Sequence, residues 1–202
     1  MNKLDHLRRR FANHEPDLLN ARFRCAVLCP LVEQPDGLHL IFEVRSRGVS
    51  QPGEICFPGG RMEPGETIIQ CALRETYEEL AIPPEEITLL GTPDFICNQS
   101  GFLLRPVLGL VSAAGFAAMT PSRDEVAEVF TAPLSFFQNT PPQAWEYNLL
   151  PQVSEDFPYE AVGIPRDYRW NRGRVEIPIW YWQGHAIWGM TARLTQDLIR
   201  DL

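Results

Sequence analysis

The sequence predicts an α/β sandwich in which helices pack on a mixed β-sheet. Apolar-rich runs of strand length recur along the chain, and helical periodicity interrupts them in the middle and at the C-terminal end. The 202 residues suffice for one domain with a sizeable core, and 45% apolar residues is ordinary for a globular chain. We therefore expect residues 1–202 to form a single domain.

The N-terminal residues 1–20 are predicted to form a helical appendage to this domain. Leu4, Leu7 and Phe11 recur at helical spacing beside the basic cluster Arg8-Arg9-Arg10. This pattern favours a helix that packs on the domain or on a partner subunit, and it leaves a homodimer open.

Apolar-rich runs of strand length begin after residue 20. The turn signal Pro35-Asp36-Gly37 lies between the first two of these runs and predicts a hairpin. Residues 189–202 carry methionine and leucine at i, i+4 spacing and are predicted to form a helix. Residues 139–173 are rich in proline and polar groups, so we expect an irregular excursion near the substrate. The predicted strands are residues 24–32, 38–44, 87–91, 104–111, 126–132 and 175–182.

Composition excludes several classes of protein. The formal charge of −8, with no basic stripe, argues against nucleic-acid binding. No apolar run is long enough to span a bilayer and no signal peptide is visible, so no membrane partner is expected. The five cysteines do not form paired C-x2-C spacings, which argues against a zinc site, and free thiols suit the cytoplasm.

The most informative segment is an acidic helix between two turn signals. Pro64-Gly65 precedes it and Pro83-Pro84 stops it. A turn of about 100° per residue sets Glu75, Glu78 and Glu79 on a face that points away from the predicted apolar stripe. That stripe consists of Ile69, Ala72, Leu73, Thr76, Tyr77 and Leu80.

Like charges at this spacing oppose helix formation by about 0.2–0.5 kcal/mol per pair, and Arg74 alone does not neutralise three carboxylates. A solvated acidic face is the alternative interpretation, but such a face normally includes lysine and this helix has none. A hard cation such as Mg²⁺ would turn the repulsion into chelation. The preceding loop, Phe57-Pro58-Gly59-Gly60, allows close backbone approach to a metal or phosphate. The pattern therefore indicates a metal and phosphate site.

At these residues the chain resembles the Nudix hydrolases, whose signature is G-x5-E-x7-R-E-U-x-E-E-x-G-U, with U an apolar residue. Thr76 replaces an apolar residue, and Ala81 replaces a glycine that suits a left-handed helix end. Pro83 can end the helix instead. The resemblance implies a Nudix-type α/β/α sandwich with a mixed sheet. The matching residues are Gly60, Glu66, Arg74, Glu75, Glu78, Glu79 and Ile82.

The resemblance also implies Mg²⁺ or Mn²⁺ as cofactor, which would polarise phosphoryl oxygens and lower the pKa of a bound water. Arg74 and Glu66 would form a supporting ion pair, and Glu75 would be a candidate to orient the attacking water. The implied catalytic residues are Glu75, Glu78, Arg74 and Glu66. The implied metal ligands are Glu79, Glu75, the carbonyl of Gly59 and, for a further ion, Glu78.

A second resemblance covers the residues before the loop. Residues 40–60 look like the extra motif of coenzyme A diphosphatases, L-L-T-x-R-S-x3-R-x3-G-x3-F-P-G-G, and residues 187–193 resemble that subfamily's C-terminal helix entry. The stretch between Ser46 and Gly53 is one residue short, and the motif's second arginine has no direct counterpart. The residues that match are Arg45, Ser46, Gly53, Phe57, Pro58, Gly59 and Gly60.

This resemblance implies hydrolysis of coenzyme A or its thioesters to a 4′-phosphopantetheine and adenosine 3′,5′-bisphosphate, with Arg45, Ser46 and Gly60 as substrate contacts. An ADP-ribose or other nucleoside-diphosphate-X hydrolase is the alternative if the missing arginine matters, because arginine binds phosphate through a planar bidentate fork. A Nudix fold that only binds a nucleotide metabolite as a sensor is a third reading. The intact glutamates count against it.

Three further features stay open at this level. Asp124-Glu125 is a candidate acid from outside the helix, with a charged turn before a strand as the alternative. His185 is expected at the surface rather than as a general base. An aromatic cluster could stack on adenine or cover the pantetheine arm, although core or dimer packing is the commoner fate. This cluster is Trp180, Tyr181, Trp182 and Trp188.

Overall fold

The computed structural model describes residues 2–14, 17–200 and 202. It confirms the α/β class, and every predicted strand is present with closely similar bounds. In this part of the chain the helices are α1 (Lys3–Phe11), α2 (Ile68–Leu80), α3 (Ala113–Ala118), α4 (Leu134–Asn139) and α5 (Gly189–Leu198). The strands are β1 (Phe23–Gln34), β2 (Gly37–Arg45), β3 (Ile55–Cys56), β4 (Gly59–Arg61), β5 (Ile87–Gly91), β6 (Ile96–Cys97), β7 (Phe102–Val111), β8 (Val126–Pro133), β9 (Gln143–Leu149), β10 (Gly173–Trp182) and β11 (His185–Trp188).

The main sheet is mixed because β1 and β7 run parallel, while its other pairs are antiparallel. Its order is β3-β2-β1-β7-β5, with β4 paired to β1, β6 to β7 and β8 to β2. The expected hairpin joins β1 to β2, and Gln34 pairs with Gly37 across the turn. Parallel strands need a long connection, and the one between β1 and β7 carries α2.

Side chains alternate along β2 and thereby contribute to two cores, one on each face of the sheet. Leu40 and Phe42 belong to the core that α4, α5 and β10 cover. Ile41 belongs to the other core, together with Leu80 of α2. Helices therefore cover both faces, which confirms the α/β/α layering. Glu43 continues the alternation on the α2 side and is also buried.

A second, three-stranded sheet has the order β11-β10-β9. The prediction of an irregular segment over 139–173 is therefore wrong for Gln143–Leu149, which form β9. Trp145 pairs with Ile177, and Tyr147 pairs with Val175, because β10 offers a partner that the sequence pattern alone does not reveal. Residues 150–172 contain neither helix nor strand.

The N-terminal appendage is shorter than predicted, since α1 ends at Phe11 and residues 15 and 16 lie outside the described residues. No side chain of α1 is buried, and Leu4 and Phe11 are both 52% exposed. The apolar side chains of α1 therefore take no part in the described core. Among the described helices, none combines the length and apolar character that a membrane crossing requires.

Candidate active site

The acidic helix α2 is capped at both ends. Thr67 caps its start: the Gln70 N–H donates to the Thr67 hydroxyl at 3.3 Å, and the Thr67 N–H donates to the Gln70 side chain at 2.9 Å. At its end, Ala81 adopts the left-handed conformation with φ 56° and ψ 29°, and its N–H donates to the Tyr77 carbonyl at 2.9 Å. The left-handed helix end is thus present even though alanine replaces the glycine of the signature.

The buried face of α2 differs from the predicted stripe. Ile69 is 37% exposed and Tyr77 is 54% exposed, whereas Glu79 is only 4% exposed. The side of α2 that packs against β1, β4 and β7 carries Cys71, Ala72, Thr76, Glu79 and Leu80 as its buried residues. Thr76 is accommodated in this interior because its hydroxyl donates to the Ala72 carbonyl at 2.7 Å. Glu79 is therefore an interior group and does not share an exposed face with Glu78.

The two glycines of the loop, Gly59 and Gly60, are each required for a different steric reason. A Cβ on Gly59 would lie 2.4 Å from the Ala26 carbonyl oxygen of the paired strand β1, and Gly59 has a φ of +150°. A Cβ on Gly60 would lie 2.6 Å from the carboxylate of Glu75. The first glycine lets the loop pair with β1, and the second leaves room for the acid of the helix.

Arg74 connects the carboxylates that the sequence singles out. Its Nε and Nη2 donate to the two oxygens of Glu66 at 2.9 and 3.1 Å, which is a bidentate pair. Its Nη1 donates to Glu75 at 2.8 Å and to Glu78 at 3.0 Å. Nη2 also donates to the Arg61 carbonyl at 3.2 Å. The hydrogen bonds from Arg74 hold the pKa of Glu66 below its usual range. The ion pair between Arg74 and Glu66 therefore fastens the loop before the helix to the helix itself.

Glu79 lies on the other side of α2 and faces the glycine loop. Its Oε2 accepts a hydrogen bond from the Gly59 N–H at 2.7 Å. Burial raises the pKa of Glu79, and the nearby carboxylate of Glu43 raises it further. Burial likewise raises the pKa of Glu75, against the lowering effect of Arg74.

Glu43 is a further buried acid near Glu79, and it lies outside the signature helix. It is 1% exposed, and its Oε1 accepts a hydrogen bond from the Cys56 thiol at 3.2 Å. Burial raises the pKa of Glu43, and Glu75 adds to this effect. One signal was available: a glutamate interrupts an apolar strand at the position where the coenzyme A diphosphatase motif has threonine.

Within the described residues, no three acidic, histidine or cysteine side chains converge as one metal-binding group. Arg74 draws Glu75 and Glu78 toward itself, while Glu79 faces Gly59. The donor set nevertheless fits a hard divalent cation. Among the described residues the Oε2 of buried Glu43 has no hydrogen-bond partner, so the site contains an unsatisfied carboxylate oxygen to which a cation could bind.

A cleft of about 670 Å³ opens beside the acids, with Glu66, Arg74 and Glu75 in its wall. Arg24 and Arg61 add positive charge to the same wall. A phosphate group could therefore approach Glu75 between arginines. Another cleft, of about 620 Å³, is lined by Phe137, Trp180 and Arg193 among others, and none of the predicted site acids lines it.

Two of the predicted substrate contacts, Arg45 and Ser46, lie at the end of β2 and directly after it. Arg45 donates from Nε to the Ser50 carbonyl at 2.8 Å and from Nη2 to the Ser50 hydroxyl at 3.4 Å. Ser46 is buried, and its hydroxyl donates to the Asp124 carbonyl and accepts from the Gly48 N–H at 3.2 Å. Both side chains thus stabilise the loop. Ser50, which binds Arg45, lies between Ser46 and Gly53, where the motif has its second arginine.

The remaining candidates are distributed over the fold. Asp124-Glu125 form a turn before β8, and the charge of Glu125 contributes to the raised pKa of Glu79. The ring of His185 stacks on Phe130 at 3.9 Å, in the layer opposite α2. In the aromatic cluster Trp180 is 1% exposed and its indole N–H donates to the Thr140 carbonyl at 2.6 Å, whereas Tyr181 and Trp188 are exposed.

The chain is similar to known proteins over much of its length. A family model described as NUDIX domain matches residues 22–153. The Nudix hydrolase NudL of Enterobacter sp. (strain 638) is 33% identical over 183 residues, which cover 90% of this chain and 83% of that protein. The NudL protein of Salmonella paratyphi B is 30% identical over 200 residues, which cover 96% and 92%. A Caenorhabditis elegans Ap4A hydrolase structure has a TM-score of 0.48 and 20% identity, and the match covers 55% of this chain and 80% of that one.

The chain therefore belongs to the Nudix family. It is a hydrolase of the NudL type that acts on diphosphate bonds, in a family whose members generally use divalent metal ions.

Proposed function

We propose that this chain hydrolyses the diphosphate bond of coenzyme A or its thioesters, with Mg²⁺ or Mn²⁺, to a 4′-phosphopantetheine and adenosine 3′,5′-bisphosphate. One observation carries the proposal. The segment that resembles the coenzyme A diphosphatase motif ends in Gly59 and Gly60, and both glycines contact acids of α2. The subfamily motif and the Nudix signature thus form one site.

In this proposal the cation would be held by Glu75, Glu79 and the carbonyl of Gly59, with Glu78 available to a further ion. When bound, it supplies Lewis-acid polarisation of the phosphoryl oxygens and a water of lowered pKa. The Gly59 N–H orients the Glu79 carboxylate through the 2.7 Å hydrogen bond. Gly60 leaves the space that the Glu75 carboxylate occupies.

Arg74 and Glu66 act as positioning residues in the same proposal. Arg74 fixes Glu75 through the 2.8 Å contact and is itself held by Glu66. Glu75 is the proposed group that orients the attacking water. Its pKa, raised by burial, suits a base that must take up a proton.

The arginines of the cleft are the proposed partners of the substrate's phosphates. Arg61 and Arg24 line the wall next to Glu75, and Arg45, the last residue of β2, belongs to the segment that resembles the subfamily motif. Ser46 and Gly60 serve the substrate indirectly in this view, because Ser46 fixes the loop and Gly60 makes room for Glu75.

A second candidate is an ADP-ribose or other nucleoside-diphosphate-X hydrolase. It is favoured by the position of Arg45, whose guanidinium bonds to Ser50 and is thereby partly withdrawn from a 3′-phosphate.

The test is product analysis with Mg²⁺ or Mn²⁺ and four substrates in parallel: coenzyme A, 3′-dephospho-coenzyme A, ADP-ribose and a dinucleoside polyphosphate. Adenosine 3′,5′-bisphosphate from coenzyme A, with weaker turnover of the other substrates, supports the proposal. Preference for ADP-ribose supports the second candidate, and turnover of neither coenzyme A nor ADP-ribose contradicts the proposed substrate. Glu79→Gln serves as the control, because it should abolish turnover while the protein remains folded.

We also propose that the protein works in the cytoplasm, as a small-molecule hydrolase without nucleic-acid or membrane partners. All five cysteines are free thiols, which suits a reducing compartment. The exposed apolar side of α1 is compatible with a homodimer, and the mass in solution, measured by light scattering with and without residues 1–20, tests that point.

A further inference from the structure

Glu43 is a buried carboxylate, and among the described residues only one of its two oxygens has a hydrogen-bond partner. It is 1% exposed and lies on β2, outside the signature helix. Its Oε1 accepts from the Cys56 thiol at 3.2 Å, and a thiol is a weak donor. Among the described residues its Oε2 has no hydrogen-bond partner. A buried, unpartnered carboxylate oxygen is costly, so this group requires an explanation.

No cation forms an ion pair with Glu43 among the described residues. The positive charge of Arg45 lowers the pKa of Glu43, but its guanidinium donates to Ser50 and, from Nη1, to the Cys56 sulfur at 3.9 Å rather than to the Glu43 carboxylate. The nearby acids Glu75 and Glu125 carry the same sign as Glu43 and oppose its ionisation. A polar neighbour alone therefore does not explain why glutamate occupies this interior position.

The glycine loop brings Glu43 and Glu79 to the same place from two different elements. Glu43 pairs with Cys56 across β2 and β3 and bonds to its thiol. Three residues further along the loop, the Gly59 N–H bonds to Glu79. A strand acid and a helix acid thus flank residues 56–59, and both are buried.

We propose that Glu43 is an additional ligand, directly or through one bound water, of the divalent cation that Glu79 holds. This inference deepens the proposed function, because it rests on the cation of the same site. Hard cations take carboxylate oxygens and retain several waters, so both arrangements suit Mg²⁺ and Mn²⁺. The metal site of this chain would then be built from the sheet as well as from the helix.

The departure from the subfamily motif points in the same direction. The motif has threonine where this chain has Glu43, and a threonine hydroxyl carries no charge. Replacement of threonine by glutamate in an interior next to Glu79 would be strongly unfavourable without a cation. With a cation it adds one more anionic ligand. Glu43→Thr therefore restores the motif residue and is a natural test variant.

The experiment measures Mn²⁺ binding to the full chain in the absence of substrate, from the electron paramagnetic resonance signal of free Mn²⁺. We expect Glu43→Gln and Glu43→Thr to lower the Mn²⁺ affinity at least about tenfold, as removal of groups around a metal typically does. Glu128→Gln is the matched control. It removes the same charge from the adjacent strand β8, where Glu128 pairs with Val44, and its side chain is 56% exposed. The Mn²⁺ affinity of the Glu128→Gln variant should stay within about twofold of that of the unchanged protein.

Circular dichroism and thermal unfolding show whether each Glu43 variant is folded. One folded Glu43 variant is sufficient for the comparison of Mn²⁺ affinities. If both variants unfold, the unchanged protein is crystallised with Mn²⁺ and the anomalous density locates the ion. Glu43 bound to the ion directly or through one water supports the inference, and any longer separation overturns it.

Unaltered Mn²⁺ affinity in a folded Glu43 variant also overturns the inference, even if the unchanged protein cleaves coenzyme A. Conversely, weaker Mn²⁺ binding in these variants supports the inference even if coenzyme A is not cleaved, in which case only the proposed substrate is wrong.

Discussion

The carboxylate of Glu75 occupies the space in which a side chain on residue 60 would begin. A Cβ at that position would lie 2.6 Å from the carboxyl carbon and from both oxygens of Glu75. The glycine at the start of the signature is therefore explained by an acid fifteen residues later, on the opposite wall of the site.

We predict that Gly60→Ala displaces Glu75 and lowers kcat at least about tenfold, with a small effect on stability, because the group in conflict is the end of a side chain. Steady-state kinetics with thermal unfolding measures both effects. Gly91→Ala is the control, since a Cβ there meets nothing within 4 Å. Normal turnover by Gly60→Ala would contradict the proposed importance of the Glu75 position.

Gly59→Ala should behave differently, because its Cβ would collide with backbone atoms of Ala26 and Val27 at 2.4 and 2.5 Å. Backbone cannot move aside as a carboxylate can, so we expect a loss of about 3 kcal/mol in the free energy of unfolding. Urea denaturation measures it. A Gly59→Ala protein as stable as Gly91→Ala would show that the pairing of β4 with β1 is not required.

Ala81→Gly should stabilise the protein by about 1 kcal/mol, because Ala81 holds a left-handed conformation with φ 56° that glycine adopts without strain. Urea denaturation again provides the measurement. Ala117→Gly in α3 is the matched control and should have the opposite sign, since glycine within a helix destabilises it. If both changes destabilise, the strain at Ala81 has been relieved by its surroundings.

Arg74→Lys should reduce kcat by about tenfold to a hundredfold, since lysine keeps the charge but cannot make the fork of contacts to Glu66, Glu75 and Glu78. The measurement is kcat at saturating Mg²⁺, which separates loss of positioning from loss of metal. Arg8→Lys, on the exposed helix α1, should leave kcat unchanged. Equal kcat values for the two variants would contradict the proposed positioning role of Arg74.

Stability should depend on pH in a way that a divalent cation reverses. Burial raises the pKa of Glu43 and Glu79 in the folded protein above the ordinary value of about 4.3. The folded state then binds protons that the unfolded state has released, so without metal the free energy of unfolding falls as pH rises above that value. A bound cation replaces those protons, so the stabilisation by Mg²⁺ should grow with pH and reach about 2.7 kcal/mol at a hundred times its Kd.

Thermal unfolding between about pH 5 and pH 8, with a chelator or with Mg²⁺, measures this dependence. Glu43→Gln should flatten the pH dependence of the metal-free protein, because it removes one of the two buried acids. A Tm difference between chelator and Mg²⁺ that stays constant over this range would contradict the prediction.

The sequence was sufficient for the features that depend on local spacing. Pro35-Asp36-Gly37 predicts the first hairpin, and the resemblance to the Nudix signature implies the ion pair between Glu66 and Arg74. The strand β9 was missed because prolines before and after it dominate the local pattern, while its pairing with β10 is a contact between distant residues. The exposure of Tyr77 was missed because periodicity indicates a face but not the direction from which the sheet approaches.

By itself, the sequence determined the α/β class, the Nudix family and the acids of the signature helix, since these follow from residue types at short, regular intervals. Only the tertiary structure decided that Glu79 is interior, that Gly60 makes room for Glu75, and that Glu43 of β2 is buried near Glu79. These relations depend on strand register and on the packing of α2 against the sheet, which bring together residues that are far apart in the chain and whose mutual distance no local pattern encodes.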